Sequence, residues 1–178
     1  MESLALVPPD VTLEAEYRAM LDECRVLGEE YYSTYLLRSV DDDFAQFVRR
    51  LELEELGMAL PMGIVPQTTY WLFRDGRTIV GESRLRHHLT SVLEVEGGHI
   101  GYTIRPGERR KGYGTQILTL MLEKARARAI PRVLVTCNTE NIGSAKIIQK
   151  NGGVFSGEDI SPRSGKPVSR YWITIAGL

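Results

Sequence analysis

The segment 104–115 holds the densest group of residue types in this sequence that could do chemistry. Between 105 and 111, four basic residues stand against one acidic residue, which gives +3, and glycines follow at 112 and 114. The segment falls between a predicted strand and the start of a predicted helix. A helix N-terminus presents unpaired backbone N–H groups and about half a positive charge, and a glycine lets a ligand approach the backbone closely. The segment therefore predicts an anion-binding turn.

Two common nucleotide-binding motifs do not fit this turn. A Walker loop needs Lys followed by Ser or Thr after its second glycine, and no such pair is present here. A dinucleotide-binding fingerprint needs a third glycine at the position where Ile117 stands. A tight turn whose glycines and charges serve only the structure is the remaining alternative.

The charge of the chain is balanced overall but unevenly distributed. The 178 residues include 22 basic and 23 acidic side chains, for a formal net charge of −1. Residues 1–60 carry 5 basic and 14 acidic side chains, a net charge of −9. Residues 61–178 carry 17 basic and 9 acidic side chains, a net charge of +8. The basic residues are dispersed and the sequence pI is 6.3, so we expect no nucleic-acid partner. An acidic N-terminal part is also expected to attract a cationic ligand, or else is an ordinary solvated surface.

The length and the apolar pattern indicate a soluble protein. A chain of 178 residues fits one domain. No apolar run approaches the ~20 residues that span a bilayer, and the first residues lack the features of a signal peptide. We therefore expect a cytoplasmic protein without a membrane partner. Cys24 and Cys137 lie within apolar patterns and are expected to be buried, reduced thiols.

The hydrophobic pattern predicts helices first and a sheet afterwards. Apolar residues at helical spacing predict two N-terminal helices, the second beginning near Ser39 with Ser39-x-x-Asp42 as a capping box. Asp75-Gly76 between two strand-like runs, 68–73 and 78–85, predicts a hairpin. The other predicted elements are a strand over 98–105, a helix to about 129, a strand over 132–137, a helix over 142–150 and strands at 154–155 and 168–175.

This order of elements predicts an α/β (α+β) fold in a single domain, 1–178. Only the strand-helix-strand part, 98–138, requires a right-handed parallel crossover. We therefore expect a central, mixed, twisted sheet with helices on both of its faces.

Two motifs in this order resemble those of the GNAT superfamily of N-acetyltransferases. Arg109-x-x-Gly112-x-Gly114 is similar to the family's acetyl-CoA signature. Downstream, Asn141 is followed three residues later by Ser144 and eleven residues later by Gly152, as in the family's second motif. The resemblance covers residues 68–175, and the order of elements along the whole chain agrees with it.

The resemblance implies where acetyl-CoA or CoA would bind. The pyrophosphate would lie on the backbone amides of the glycine-rich turn, and the pantetheine arm would pair with the preceding strand, in a cleft between two splayed parallel strands. Asn141 would contact the pantetheine from the other side, or cap the following helix, or do both. The implied cofactor-binding residues are Tyr102, Thr103, Ile104, Arg109, Arg110, Lys111, Gly112, Tyr113, Gly114, Thr115, Asn141 and Ser144.

The implied reaction is direct attack of a primary amine on acetyl-CoA in a ternary complex. Residues 1–60 would form the acceptor side, and residues 68–175 would form the cofactor-binding core. A general base must take the proton of the amine. The candidates are Glu96 and His99, and Glu94 is a less favoured third candidate. No metal is assigned, since His87 and His88 lack further ligands at suitable spacing.

The sequence departs from the family at one catalytic position. Many members have a Tyr seven residues after the Asn, where it protonates the departing thiolate, but this chain has Ile148. A CoA-binding or regulatory module that has lost catalysis is therefore the alternative function. The acceptor, a small-molecule or peptide amine, is not determined by the sequence, and a homodimer is suggested by analogy alone.

Overall fold

The computed structural model describes residues 2–28, 43–58 and 60–175. The helices are α1 (Glu14–Val26), α2 (Phe44–Glu55), α3 (Ser91–Val95), α4 (Tyr113–Ala127) and α5 (Ile142–Lys150). The strands are β1 (Leu4–Val7), β2 (Gln67–Arg74), β3 (Thr78–Arg86), β4 (Ile100–Ile104), β5 (Arg132–Asn138), β6 (Val154–Ile160) and β7 (Pro167–Thr174).

The strands form two sheets rather than the one continuous mixed sheet that was expected. The first has the order β1-β2-β3-β4 and the second β5-β7-β6, and the neighbours within each are antiparallel. The sheets meet where the amide of His99 donates to the carbonyl oxygen of Leu134 at 2.7 Å. Helix α4 returns the chain from the end of β4 to the start of β5, so these two strands run in the same direction.

Beyond this contact, the facing edges of β4 and β5 share no ladder hydrogen bonds in the described residues, and the interval between these two edges is called the gap below. The predicted fold class, an α/β fold with helices on both sides of its sheets, is confirmed.

Helices cover both faces of the first sheet because successive side chains of β2 point to opposite faces. On one face Trp71 stacks on Tyr17 of α1, with ring centroids 4.5 Å apart, within a core that includes Phe47 of α2. On the other face Leu72 packs with Ile117 of α4. Helices α1 and α2 are thus held on one face of these strands and helix α4 on the other.

Three local predictions differ from the structure. Neither strand β1, which pairs with β2, nor the short helix α3 was predicted. Helix α2 begins at Phe44, because Asp43 has an extended backbone and accepts hydrogen bonds from the amides of Ala45 and Gln46. The predicted capping residue Ser39 lies outside the described residues.

Candidate active site

The turn between β4 and α4 presents backbone amides that are free to bind an anion. Gly112, immediately before the helix, has φ of +92°, a conformation that L side chains rarely adopt. Its carbonyl oxygen already accepts from the amides of Thr115 and Gln116. The amides of residues 111–114 donate to no atom in the described part of the chain. Unpaired amides at the start of a helix of this length form an anion site.

The positive charge of this turn is smaller than the sequence count suggests. Arg105 turns towards α1, where its guanidinium pairs with Glu23 at 2.7 Å and Glu16 at 3.3 Å. The ammonium of Lys111 pairs with Glu108 at 2.8 Å. Arg110 is exposed and forms no ion pair with the described residues. The count of +3 therefore overstates the field that a ligand meets, and Arg110 is the cation best placed to add to the amides.

One more ion pair and one hydrogen bond support the turn from the side of the hairpin. Arg74, at the end of β2, donates from Nη1 to Glu108 at 2.7 Å and to the hydroxyl of Tyr113 at 3.1 Å. Partial burial opposes ionisation of Glu108, but hydrogen bonds from Lys111 and Arg74 hold the pKa of its carboxyl below the usual range. Glu108 therefore stays charged and links the turn to the hairpin.

The edge of β4 faces the gap between the two sheets. The amide of Arg105 donates to Val80 and the carbonyl of His99 accepts from Arg86, so the odd-numbered residues of β4 face β3. Because hydrogen bonding alternates along an antiparallel strand, the backbone groups of Tyr102 and Ile104 face the gap. Thr103, which pairs with Glu82, directs its backbone to β3. Of the three predicted strand contacts, two thus have backbone groups on the open side.

The hydroxyl groups of Tyr102 and Ser144 connect β4 to α5 beside the gap. The hydroxyl of Tyr102 lies 2.9 Å from Oγ of Ser144, so β4 is joined directly to α5. Asn141 caps α5 by accepting the amide of Ser144 at 2.9 Å. Burial raises the pKa of the half-buried Cys137 thiol on β5, and a hydrogen bond with Ser144 opposes that shift. Tyr102, Ser144 and Cys137 thus bring three protic groups together at the gap.

The two predicted bases occupy different environments. His99 is only 8% exposed, and its Nδ1 accepts the amide of Leu134 at 3.0 Å, so its single ring proton is on Nε2. Burial, together with the nearby charge of Arg86, lowers the pKa of His99 to about 4. Glu96 is half-buried and follows the end of α3 rather than lying on a strand. Its Oε2 accepts from the hydroxyl of Ser161 at 2.7 Å.

Glu82 is a buried carboxylate that was not singled out in the sequence, although a Glu inside a predicted strand is itself a signal. Its Oε2 accepts from the hydroxyl of Tyr17 at 2.6 Å and from the indole of Trp71 at 3.3 Å, and its Oε1 pairs with Arg84 at 3.0 Å. Both oxygens are engaged, which makes Glu82 a link between α1 and the sheet. Ile148 is fully buried in the apolar core.

Two negative findings apply to the described residues. None of their helices has the length and apolar character needed to cross a bilayer. Nor do the described His, Cys, Asp and Glu side chains form a cluster that could hold a metal ion.

The chain thus combines an α/β fold with a turn whose free amides stand at the start of α4. A family model described as "Acetyltransferase (GNAT) domain" matches residues 26–154, more than half of the chain. The chain belongs to the GNAT acetyltransferase family, and the predicted acyltransferase is confirmed at that level.

Solved structures of acetyltransferases share this fold. RimL, a ribosomal-protein acetyltransferase in complex with CoA, has a TM-score of 0.69 at 14% identity, over 97% of this chain and 94% of RimL. The microcin C7 self-immunity acetyltransferase MccE, with acetyl-CoA and AMP, has a TM-score of 0.64 at 12% identity, over 97% of this chain and 92% of MccE. A spermidine N-acetyltransferase chimera from Vibrio cholerae and hSSAT has a TM-score of 0.64 at 14% identity, over 97% of this chain and 96% of the chimera. No curated protein matches the sequence significantly.

Proposed function

We propose that this chain transfers an acetyl group from acetyl-CoA to a primary amine by direct attack in a ternary complex. The observation that carries the proposal is the run of free amides over residues 111–114, placed at the end of the gap between β4 and β5. A pyrophosphate on these amides directs the pantetheine into the gap. The fold neighbours RimL and MccE, which were solved with CoA or acetyl-CoA, support this choice of cofactor.

The backbone of Tyr102 supplies electrostatic stabilisation of the reaction. Its amide faces the gap, where it donates to the thioester carbonyl oxygen as that oxygen gains negative charge. One such donor is worth about 3 kcal/mol in comparable acyl transfers. A backbone donor needs no particular side chain, so this role does not depend on the family's missing tyrosine.

Glu96 is the better of the two candidate bases. A base must accept a proton, and the lone pair of Nδ1 of His99 is already occupied by the amide of Leu134. Glu96 has one oxygen bonded to Ser161 and keeps lone pairs for the amine or for a relaying water. His99 instead fixes the start of β5 against β4.

Ser144 takes the place of the absent tyrosine as general acid. The amine attacks the thioester carbon, the C–S bond breaks, and the thiolate of CoA takes the proton of the Ser144 hydroxyl. Tyr102, 2.9 Å away, passes its proton to Ser144 through their hydrogen bond. Tyr102 then regains a proton from solvent, to which Glu96 releases the proton that it took from the amine. Since a thiol with a pKa near ~8.5 leaves readily as a thiolate, modest assistance from a hydroxyl is enough.

The acceptor is an amine, and the fold neighbours suggest which to test first. Their names describe action on a ribosomal protein and on spermidine. A peptide carrying a ribosomal-protein N-terminus and a polyamine therefore form the first panel. The acidic N-terminal part of the chain favours cationic acceptors of both kinds.

Two measurements on the purified protein test the proposal. Calorimetric titration is expected to give saturable binding of acetyl-CoA, and its absence would refute the cofactor assignment. Release of the CoA thiol is then followed with each amine of the panel. Amine-dependent release is the expected result, whereas binding without release across the panel would favour the CoA-binding regulatory module.

A further inference from the structure

One carboxylate of the N-terminal helix α1 holds the cofactor turn. Oε1 of Glu23 accepts from Nε of Arg105 at 2.7 Å, and Oε2 accepts from the amide of Gly107 at 2.9 Å. The two contacts lie on either side of Pro106, at the point where the chain leaves β4. A Cβ on Gly107 would stand 3.1 Å from Oε2 of Glu23, so the turn and the carboxylate are in close contact.

These contacts are independent of the side chains assigned to binding. Glu23 is 82 residues from Arg105 in sequence and lies on the face of the sheet opposite to α4. Burial opposes ionisation of Glu23, but the Gly107 amide and the Arg105 guanidinium outweigh it and hold the pKa of the carboxyl below its usual range. The carboxylate is therefore charged at neutral pH and bonded at both oxygens.

We infer that Glu23 is a positioning residue for acetyl-CoA binding, which fixes the turn over residues 105–108 and so aims the free amides before the cofactor arrives. The inference rests on the proposed function, since it takes those amides as the pyrophosphate site. The amide of Arg105 makes the last bond to β3, by donating to Val80, and the backbone hydrogen bonds that follow it in the turn are short-range, from Glu108 to Arg105 and from Arg109 to Pro106. Without Glu23, the cost of ordering the turn falls on cofactor binding.

Charge and positioning predict opposite results, which makes the inference testable. Glu23→Gln removes a negative charge beside a site for a polyanion, so a charge effect alone would strengthen acetyl-CoA binding. If the carboxylate positions the turn, the same change weakens binding. Gln offers one acceptor oxygen, so it cannot satisfy both Arg105 and Gly107.

Glu16→Gln is the matched control. Glu16 lies on the same helix and pairs with the same guanidinium, at 3.3 Å, but it has no contact with the Gly107 amide. The Glu16→Gln substitution therefore removes the same charge but leaves the contact between Glu23 and Gly107 in place. We expect Glu16→Gln to bind acetyl-CoA as the unchanged protein does, or more tightly.

The experiment measures the dissociation constant of acetyl-CoA by calorimetry for the unchanged protein, Glu23→Gln and Glu16→Gln. We expect Glu23→Gln to weaken binding by about tenfold, as for one lost hydrogen bond to a charged group. In the acetyl-transfer assay KM for acetyl-CoA rises while kcat changes less than about twofold, since the reacting groups are untouched. Equal or tighter binding by Glu23→Gln would overturn the inference.

Two further results test the positioning role again and distinguish its failure from failure of the underlying function. Glu23→Asp keeps the charge but is one methylene too short for both contacts, so it is expected to weaken binding as well. Wild-type affinity in Glu23→Asp would contradict the positioning role. If the unchanged protein binds no acetyl-CoA, the proposed function itself fails. This outcome is distinct from equal binding by the unchanged protein and Glu23→Gln, which overturns only the inference.

Discussion

Substitution of Gly112 tests the cofactor turn directly. No atom lies within 4 Å of a Cβ built on Gly112, so a small side chain there meets no steric clash. The backbone has φ of +92°, and a side chain in the left-handed region costs about 1–2 kcal/mol. The strain lowers stability modestly, and Asn tolerates such a backbone better than most residues. Gly112→Asn therefore serves as the neutral reference for Gly112→Asp.

The charge of Gly112→Asp is expected to cause the larger loss. A carboxylate about 5 Å from a phosphate charge, at an effective dielectric constant of about 20, is repelled by about 3 kcal/mol. Such a penalty weakens binding by more than about 100-fold. The ratio of acetyl-CoA dissociation constants between the Asp and Asn variants isolates this repulsion, because the two side chains have nearly the same shape.

The assay is calorimetric titration with acetyl-CoA at low and high salt. The difference between the Asp and Asn variants should shrink as salt rises, because screening shortens the reach of charge. Gly63→Asp is the control for strain and net charge. Gly63 has φ of +81° and no neighbour within 4 Å of a Cβ, and it precedes β2. If Gly112→Asp binds acetyl-CoA within threefold of Gly112→Asn, the amides of this turn are not the pyrophosphate site.

Three further changes test the neighbouring residues. Ser144→Ala should lower kcat by about tenfold with little change in KM for acetyl-CoA, because it removes the acid that protonates the thiolate; an unchanged kcat would contradict that role. Because burial raises the pKa of the Cys137 thiol, CoA disulfide should exchange with Cys137 slowly at neutral pH and faster as the pH rises, releasing one CoA thiol per protein, and mass spectrometry should find the adduct lost in Cys137→Ser but kept in Cys24→Ser. The pKa of His99 is lowered to about 4, so the unfolding free energy should fall as pH drops from about 6.5 towards 4, where only the unfolded chain takes up the proton. Urea denaturation should show a flatter pH profile for His99→Asn, and an unchanged profile would exclude this histidine as the source.

The parts of the fold that depend on local patterns could be predicted from the sequence. Asn141 and Gly152 bound the predicted helix 142–150, which matches α5 (Ile142–Lys150). Asp75 and Gly76 both have positive φ at the predicted hairpin turn. In each case a residue with a strong conformational preference stands beside a clear hydrophobic pattern, so the information is contained in a few adjacent residues.

The parts that depend on distant partners could not be predicted. Strand β1 exists because Leu4–Val7 pairs with β2, more than 60 residues away. The junction between the two sheets depends on His99 and Leu134, which are 35 residues apart. Helix α3 has five residues, too few to show a helical period. The sequence predicted the start of α2 near Ser39, but Asp43 is the residue that caps the helix.

The acidic N-terminal part of the chain cannot be assigned to the acceptor alone. Glu16 and Glu23 neutralise Arg105 from the side of α1, and Glu2 accepts from the hydroxyl of Tyr113 at the start of α4. Asp43 is occupied in capping α2, while Asp41 and Asp42 lie outside the described residues.

The uneven charge of the two halves of the sequence is therefore partly cancelled in the folded protein, at the turn where the basic residues are densest. Most ionic partners of that turn are already present before a ligand binds. Under the proposed function, the directed amides of residues 111–114 and Arg110 select the pyrophosphate, and the number of basic side chains matters less. Amides can be aimed only by a rigid turn, so the acidic residues that reduce its charge also stabilise its geometry.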